Sequence, residues 1–184
     1  KIKFIKGDIR NKKSVLKALK NTDVVIHLAY VNGTKFFYNQ PVKILDIAVK
    51  GIINILEGCI KNNIKELYLA SSSEVYQTPN KIPTDEKEIL KVPDVYNPRY
   101  SYGGGKIITE LMGIHYGKKY FKKLVIFRPH NVYGPNMGNE HVVPELINRF
   151  KKLKGKKFKI QGTGNEIRSF IYIDDFVKAF NLIL

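Results

Sequence analysis

Three apolar runs set the architecture. "DVVIHLA" (23–29) is β-branched and apolar with no alternation of polar residues, and "KELYLAS" (65–71) and "LVIFR" (124–128) have a similar character. A strand with one face in water alternates, whereas a continuous short apolar run reads as a strand buried in a parallel sheet. Parallel neighbours need long crossovers, and the intervening segments are helical in period. "NKKSVLKALKN" spaces Val15, Leu16 and Leu19 along one helix face. Pro41 then opens a helix in which Ile44, Leu45, Ile47, Ala48, Ile52, Ile55 and Leu56 form a wide apolar face up to about Lys61. Segment 99–121 reads as the next helix. With "IKFI" as a short strand at the front, the βαβαβ rhythm predicts an α/β fold, a doubly wound parallel sheet with helices on both faces.

From Pro129 the rhythm changes. "PHNVYGPNMGNEH" is turn-rich, "VVPELINRF" reads as a short helix, "FKIQG" and "SFIYI" as short strands, and Asp174 and Asp175 open a last amphipathic helix. The expected organisation is a sheet domain over 1–128 and the start of a smaller subdomain over 129–184 that returns to the core of the first.

In an open parallel sheet the ligand lies beyond the carboxyl ends of the strands. There the sequence places "GDIRN", "HLAYVNGT", "ASSSEVYQTP" and "RPHNVYGP", segments largely rich in Ser, Asn, Tyr, Arg or Asp. The helix after the third of these begins within "NPRYSYGGGK" (97–106). Tyr102 and Lys106 are four apart and share a helix face. An ammonium beside a phenol favours phenolate, which makes tyrosine usable as a general base near neutrality. Ser72, at the end of the preceding strand, is within reach of the same substrate hydroxyl. Between tyrosine and lysine stand Gly103, Gly104 and Gly105, which together forfeit about 3 kcal/mol of helix propensity. Close approach by a backbone or a ligand is the expected compensation.

Composition removes several classes. The 184 residues, 43% hydrophobic, carry one cysteine, Cys59, so no internal disulfide framework exists and a reducing compartment is expected. No apolar run approaches the ~18 residues of a membrane span, and the basic start is not a signal peptide; a cytoplasmic protein is expected. The net charge of +16 invites a nucleic-acid reading, above all at "KKLKGKKFK", yet all but five of the 32 basic residues are lysines, the pattern of a solvated face. No metal-ligand spacing is present. His27, inside an apolar run, reads as a core histidine.

"GDIRN", "VVIHLAY", "ASSSEVY", "PRYSYGGGK", "FRPHNVYGP" and "GTGNEIRSFIYIDD", in this order and across nearly the whole chain, resemble the motifs of the extended short-chain dehydrogenase/reductases, the NAD-dependent epimerase/dehydratase group that modifies nucleotide sugars, including 4-epimerases and uronate decarboxylases. The resemblance implies a Rossmann-like fold with NAD as cofactor, NADP remaining open. It makes Tyr102 the base, Lys106 the residue that lowers the base's pKa and holds the nicotinamide ribose, and Ser72 the hydroxyl partner. Asp8 and Ile9 would lie by the adenine, with Leu28, Ala29 and Tyr30 beside the cofactor phosphates and ribose. Ser72, Ser73, Asn131 and Arg168 would contact a nucleotide-diphosphate sugar. A homodimer through helices 41–61 and 99–121 is implied.

The implied reaction begins with oxidation of the sugar C4 hydroxyl to a 4-keto intermediate. A 4-epimerase is the leading outcome and a uronate decarboxylase the next. Dehydratases of the group carry an Asp-Glu pair where Ser73 and Glu74 stand here. Glu74 is expected to act after oxidation, so that Glu74→Gln slows the following step tenfold or more. Some members of the superfamily are RNA-binding or cofactor-sensing proteins, which keeps a non-catalytic reading open. Three departures from the family pattern stand out: Gly104 and Gly105 in place of serine or alanine, Gln77 in place of a glycine, and no glycine-rich phosphate loop before the first strand. The chain is accordingly expected to lack the first strands of the fold and to bind NAD weakly by itself.

Overall fold

The computed structural model describes residues 2–139, 141–155, 157–160 and 162–184. The chain divides into two compact units, Lys1–Pro129 and His130–Leu184. The first contains α1 (Lys12–Ala18), β1 (Val24–His27), α2 (Thr34–Asn39), α3 (Pro41–Lys61), β2 (Glu66–Ala70), α4 (Ser101–Tyr120) and β3 (Lys123–Phe127). Its three strands are parallel in the order β1-β2-β3, with Val25, Leu67 and Leu124 in one register row and His27, Leu69 and Ile126 in another. Period-two alternation turns these residues to one face. There Val25, Leu67 and Leu69 meet Ile52, Ile55, Leu56 and Cys59 of α3 in a single core.

The apolar stripe read from the sequence is what buries α3. Ile44, Ile52, Leu56 and Cys59 are fully buried, Pro41 occupies the first turn, and Asn63 ends the helix in the left-handed region at φ 56°. Helix α4 has no such stripe. Its buried face is mostly small, with Gly105, Thr109, Gly113 and Gly117 turned inward, and Leu69 and Leu124 lie against the last two glycines. Contact area and close approach replace side-chain bulk.

Two expected strands do not form. Ile2 and Phe4 are fully and largely exposed and residues 2–7 join no sheet among the described residues, because a strand exists only where a neighbour completes its ladder. The "FKIQG" segment is likewise irregular over its described residues, 158–160 and Gly162, while Gln161 lies outside them. Strand β1 is buried on alternate residues only, with Val24 and Ile26 exposed. Helix α2 was not legible in the sequence: six residues are too few for a period, and packing of Phe37, which is buried, gives it a core face.

In the second unit β4 (Asn131–Tyr133) pairs in parallel with β5 (Phe170–Tyr172), and α5 (Val142–Lys151) and α6 (Ile173–Asn181) complete it. Tyr133 makes edge contacts with Phe170 and Tyr172. Gly162 and Gly164 form a turn at positive φ, closed by the Glu166 carboxylate on the Thr163 and Gly164 amides. This G-x-G is a turn and opens no helix. Among the described residues no helix is long and apolar enough to cross a membrane.

Candidate active site

The carboxyl end of β2 and the first two turns of α4 meet at one point. Asn97 accepts a hydrogen bond from the Arg99 amide at 3.0 Å and starts a 3₁₀ turn, Pro98–Tyr100, which delivers Ser101 and Tyr102 into the first turn of α4. Tyr102 is 7% exposed, stacked on Phe37 with centroids 5.0 Å apart and edge-on to Tyr30 at 5.2 Å. Ser72, two residues past the end of β2, is buried, accepts the Glu74 amide at 3.2 Å and lies beside the Tyr102 phenol, whose pKa it lowers. Lys106 is 4% exposed, and its Nζ donates to the Ala70 carbonyl at 2.7 Å. The fold thus brings Ser72, Tyr102 and Lys106 together, as the sequence reading expects.

Their electrostatics differ from that reading in one respect. Burial raises the Tyr102 pKa, the neighbouring Ser72 side chain lowers it, and the Glu74 carboxylate raises it again. Lys106 was expected to lower it, but its Nζ is 5.7 Å from the Tyr102 ring centre and 4.0 Å from that of Tyr30. Desolvation is therefore the larger influence on the phenol. The same burial brings Lys106 down to about 8, with Glu110 opposing. His27 falls to about 4, through burial first and the Lys106 charge second. Its folded pKa lies below its unfolded value, so between the ordinary value of 6.5 and about 4 the unfolded chain binds more protons. Stability is full above that window and lost as pH falls through it. The expected loss is about 3 kcal/mol relative to His27→Gln, read as the difference between their urea midpoints at neutral pH and at pH about 4.

The glycines have specific neighbours. A Cβ on Gly105 would overlap the Tyr30 hydroxyl and come within 2.7 Å of the Ala48 Cβ. One on Gly103 would lie 2.8 Å from the Gln77 Nε2 and 3.1 Å from the Glu74 carbonyl oxygen. Gln77 sits in the left-handed region at φ 54°, which explains why glycine suits that position. Here the glutamine side chain donates to the Glu74 carbonyl at 2.5 Å. Two departures, Gly105 and Gln77, are thus matched: Tyr30 faces Gly105, and Gln77 faces Gly103 on α4. Gly104 has only Val92 near it, at 3.3 Å.

Sequence reasoning missed a buried ion pair behind this point. Glu110, 2% exposed, accepts Arg128 Nε at 2.8 Å and a terminal nitrogen at 2.6 Å, and it also accepts the Ser71 hydroxyl. Arg128 further donates to the Tyr76 hydroxyl at 2.7 Å and the Glu86 carbonyl at 3.3 Å. One cluster therefore ties α4, the ends of β2 and β3, and the loop beyond Ser73. The available signal was a glutamate four residues after Lys106, on the face that carries Tyr102, and an arginine closing an apolar strand.

The remaining candidates lie as follows. Asp8 is held by Arg10, whose amide, Nε and a terminal nitrogen donate to its carboxylate at 2.9, 3.1 and 2.6 Å; this pulls its pKa down to about 2. Ile9 packs beside Gly51 and its carbonyl accepts the Asn54 amide at 2.9 Å. Leu28 and Ala29 are exposed just past β1. Glu74 faces Arg99, with 3.7 Å between the charges, and is 40% exposed at the side chain. The Ser73 amide donates to the Pro129 carbonyl at 3.0 Å. Asn131 and Arg168 belong to the second unit, where the Asn131 amide donates to the Ser169 carbonyl and Arg168, exposed, donates to the Ile167 carbonyl.

Residues 1–184 match the NAD dependent epimerase/dehydratase family. A dTDP-D-glucose 4,6-dehydratase of Dictyostelium discoideum is 32% identical over 195 residues, which takes in 99% of this chain and 43% of that protein. Among solved structures, UDP-N-acetylglucosamine 4-epimerase from Methanobrevibacter ruminantium M1, in complex with UDP-N-acetylmuramic acid, is 28% identical with a TM-score of 0.82, covering 97% of this chain and 56% of that one. UDP-glucose 4-epimerase from Thermus thermophilus, in complex with NAD, is 26% identical with a TM-score of 0.81, covering 98% and 60%. The chain thus spans about half the length of the relatives it matches.

Proposed function

Because this chain belongs to the NAD dependent epimerase/dehydratase family, we propose that the protein is an NAD-dependent nucleotide-sugar enzyme that oxidises the sugar C4 hydroxyl, with 4-epimerisation as its net reaction. The observation that carries this is that Ser72, Tyr102 and Lys106 are brought together, all buried, at the end of a parallel strand. The relatives described above are named as enzymes, which favours catalysis over an RNA-binding module.

The site fits a cofactor. Lys106 makes one hydrogen bond to protein among the described residues, to Ala70, so two of its three N–H groups are free for ribose hydroxyls. Leu28 and Ala29 are exposed at the end of β1, where a Rossmann-type crevice receives a dinucleotide. NAD, when bound, takes the C4 hydride and can return it. Ser72 holds the substrate hydroxyl, and Tyr102 removes its proton as the carbonyl forms. Lys106 supplies positive charge beside the developing phenolate. We assign residues 1–128 to the cofactor side, with Asp8, Ile9, Leu28, Ala29 and Tyr30, and 129–184 to the substrate side, with Asn131 and Arg168 toward the nucleotide diphosphate. Apolar residues on the outer faces of α3 and α4, among them Val42, Leu45 and Leu111, are exposed, which supports a homodimer through these helices. We propose a cytoplasmic location, which the single cysteine, Cys59, favours.

The second half of the reaction turns on Glu74. In an epimerase the 4-keto sugar only rotates before reduction, and no second acid is needed. A decarboxylase or a C5-directed reaction needs a group near C5 and C6. Ser73 is no proton donor for elimination, and Glu74 is half in solvent opposite Arg99. This weakens the catalytic part that the sequence reading gives it. Glu74→Gln is therefore expected to leave turnover within about threefold, under 1 kcal/mol, in an assay that separates epimeric UDP-hexoses by chromatography. A fall of tenfold or more with NADH accumulating on a UDP-uronate assigns the decarboxylase instead.

A further inference from the structure

The coupling of Gly105 to Tyr30 raises a question about the tyrosine. Its hydroxyl is buried and has no hydrogen-bond partner among the described residues, an arrangement that costs stability and that a phenylalanine would avoid. The ring, however, has a defined task within its reach. Lys106 Nζ lies over its face, 4.0 Å from the centroid, while its relation to Tyr102 is edge-on at 83°. The face of an aromatic ring is the negative end of its quadrupole, and a desolvated ammonium above it is favoured over the neutral amine.

We propose that Tyr30 is a positioning residue for Lys106: its ring face holds the lysine as an ammonium between the Ala70 carbonyl and Tyr102, and Gly105 is the position that admits the ring. This rests on the reading of Lys106 as the cation of the Tyr102 pair. The groups that face Lys106 from the surrounding elements are few. His27 on β1 is neutral down to about pH 4. The Ala70 carbonyl on β2 accepts one hydrogen bond from the Lys106 Nζ. On α4, Tyr102 is 5.7 Å away at its ring centre, and Glu110 favours the charged lysine but is already bound to Arg128 and Ser71. Tyr30 itself stays a neutral phenol, because burial raises its pKa. Against a site that desolvates the ammonium, the ring face and the Ala70 carbonyl both lie in contact with it.

The test follows the Lys106 titration by side-chain NMR in the protein without substrate or cofactor, with Lys106→Arg identifying the resonance. Tyr30→Phe keeps the ring face, and the midpoint is expected to stay where it is in the parent. Pentafluorophenylalanine at position 30 keeps the shape and reverses the quadrupole, so the midpoint is expected to fall by about one pH unit, the size of a desolvated cation–π contact. Tyr30→Leu is expected to move it in the same direction. A fluorinated ring that leaves the midpoint at the phenylalanine value overturns the proposal, whether or not the leucine variant folds. No turnover is needed for this readout, so its failure is separate from a failure of the proposed function, which the Tyr102→Phe assay decides.

Discussion

Tyr102→Phe is expected to reduce turnover of a nucleotide sugar by about 10²–10⁴-fold while leaving the fold and ligand binding nearly unchanged. The substitution removes one hydroxyl and little volume. The phenyl ring keeps its stacking on Phe37 and its edge contact with Tyr30, so the small cluster of Phe37, Ile44 and Tyr102 remains packed. The phenol hydroxyl beside Ser72 is lost, and with it the proposed route by which the substrate hydroxyl gives up its proton. Cofactor and nucleotide-sugar dissociation constants, measured by calorimetry beside the rate, separate this from a binding defect. A loss of less than tenfold with unchanged binding would mean that the base lies elsewhere.

Glu110→Gln is expected to destabilise the protein by about 3–5 kcal/mol, because it leaves the Arg128 guanidinium without its counter-charge in a largely buried position. The amide keeps the volume, so the loss is electrostatic and not a cavity. Replacing both partners by apolar residues, Glu110→Leu with Arg128→Met, is expected to recover most of it, since a buried pair offsets its own desolvation only in part. Urea unfolding of the two single variants and the double gives the coupling directly. The same variants test what the pair does for the site. Glu110 also holds the Ser71 hydroxyl, one residue before Ser72, so a folded Glu110→Gln protein is expected to lose turnover beyond what its stability explains.

The parts of this molecule that were legible in the sequence are those that repeat a local pattern. Helix α3 carries an apolar face over 21 residues, and its boundaries Pro41 and Lys61 were readable from proline at one end and the end of the stripe at the other. Strands β1, β2 and β3 announced themselves as apolar runs. The Tyr102, Lys106 and Ser72 assembly was readable because two of its members are one helical turn apart and the third ends a strand. What escaped is non-local. The "IKFI" run has strand composition but no ladder partner among the described residues, and composition cannot supply one. The partnership of Glu110 with Arg128 spans 18 positions, and that of Tyr30 with Gly105 spans 75; neither leaves a periodic trace. The glycine run looked like a defect of helix propensity until its neighbours were known. Tyr30 and Gln77 fill the spaces that Cβ atoms at Gly105 and Gly103 would take.

The central claim is that Tyr102 removes a proton from the C4 hydroxyl of a nucleotide sugar while the C4 hydrogen passes to NAD. It is tested most directly with UDP-hexoses carrying deuterium at C4, incubated with the protein and NAD, quenched, and examined by mass spectrometry for label on the nicotinamide ring. Deuterium is expected on the reduced nicotinamide in the parent protein and none in Tyr102→Phe. Return of the label to C4 of the epimer is expected at long times; epimer in which solvent hydrogen has replaced the C4 deuterium, with none on the cofactor at any quench time, would contradict the claim.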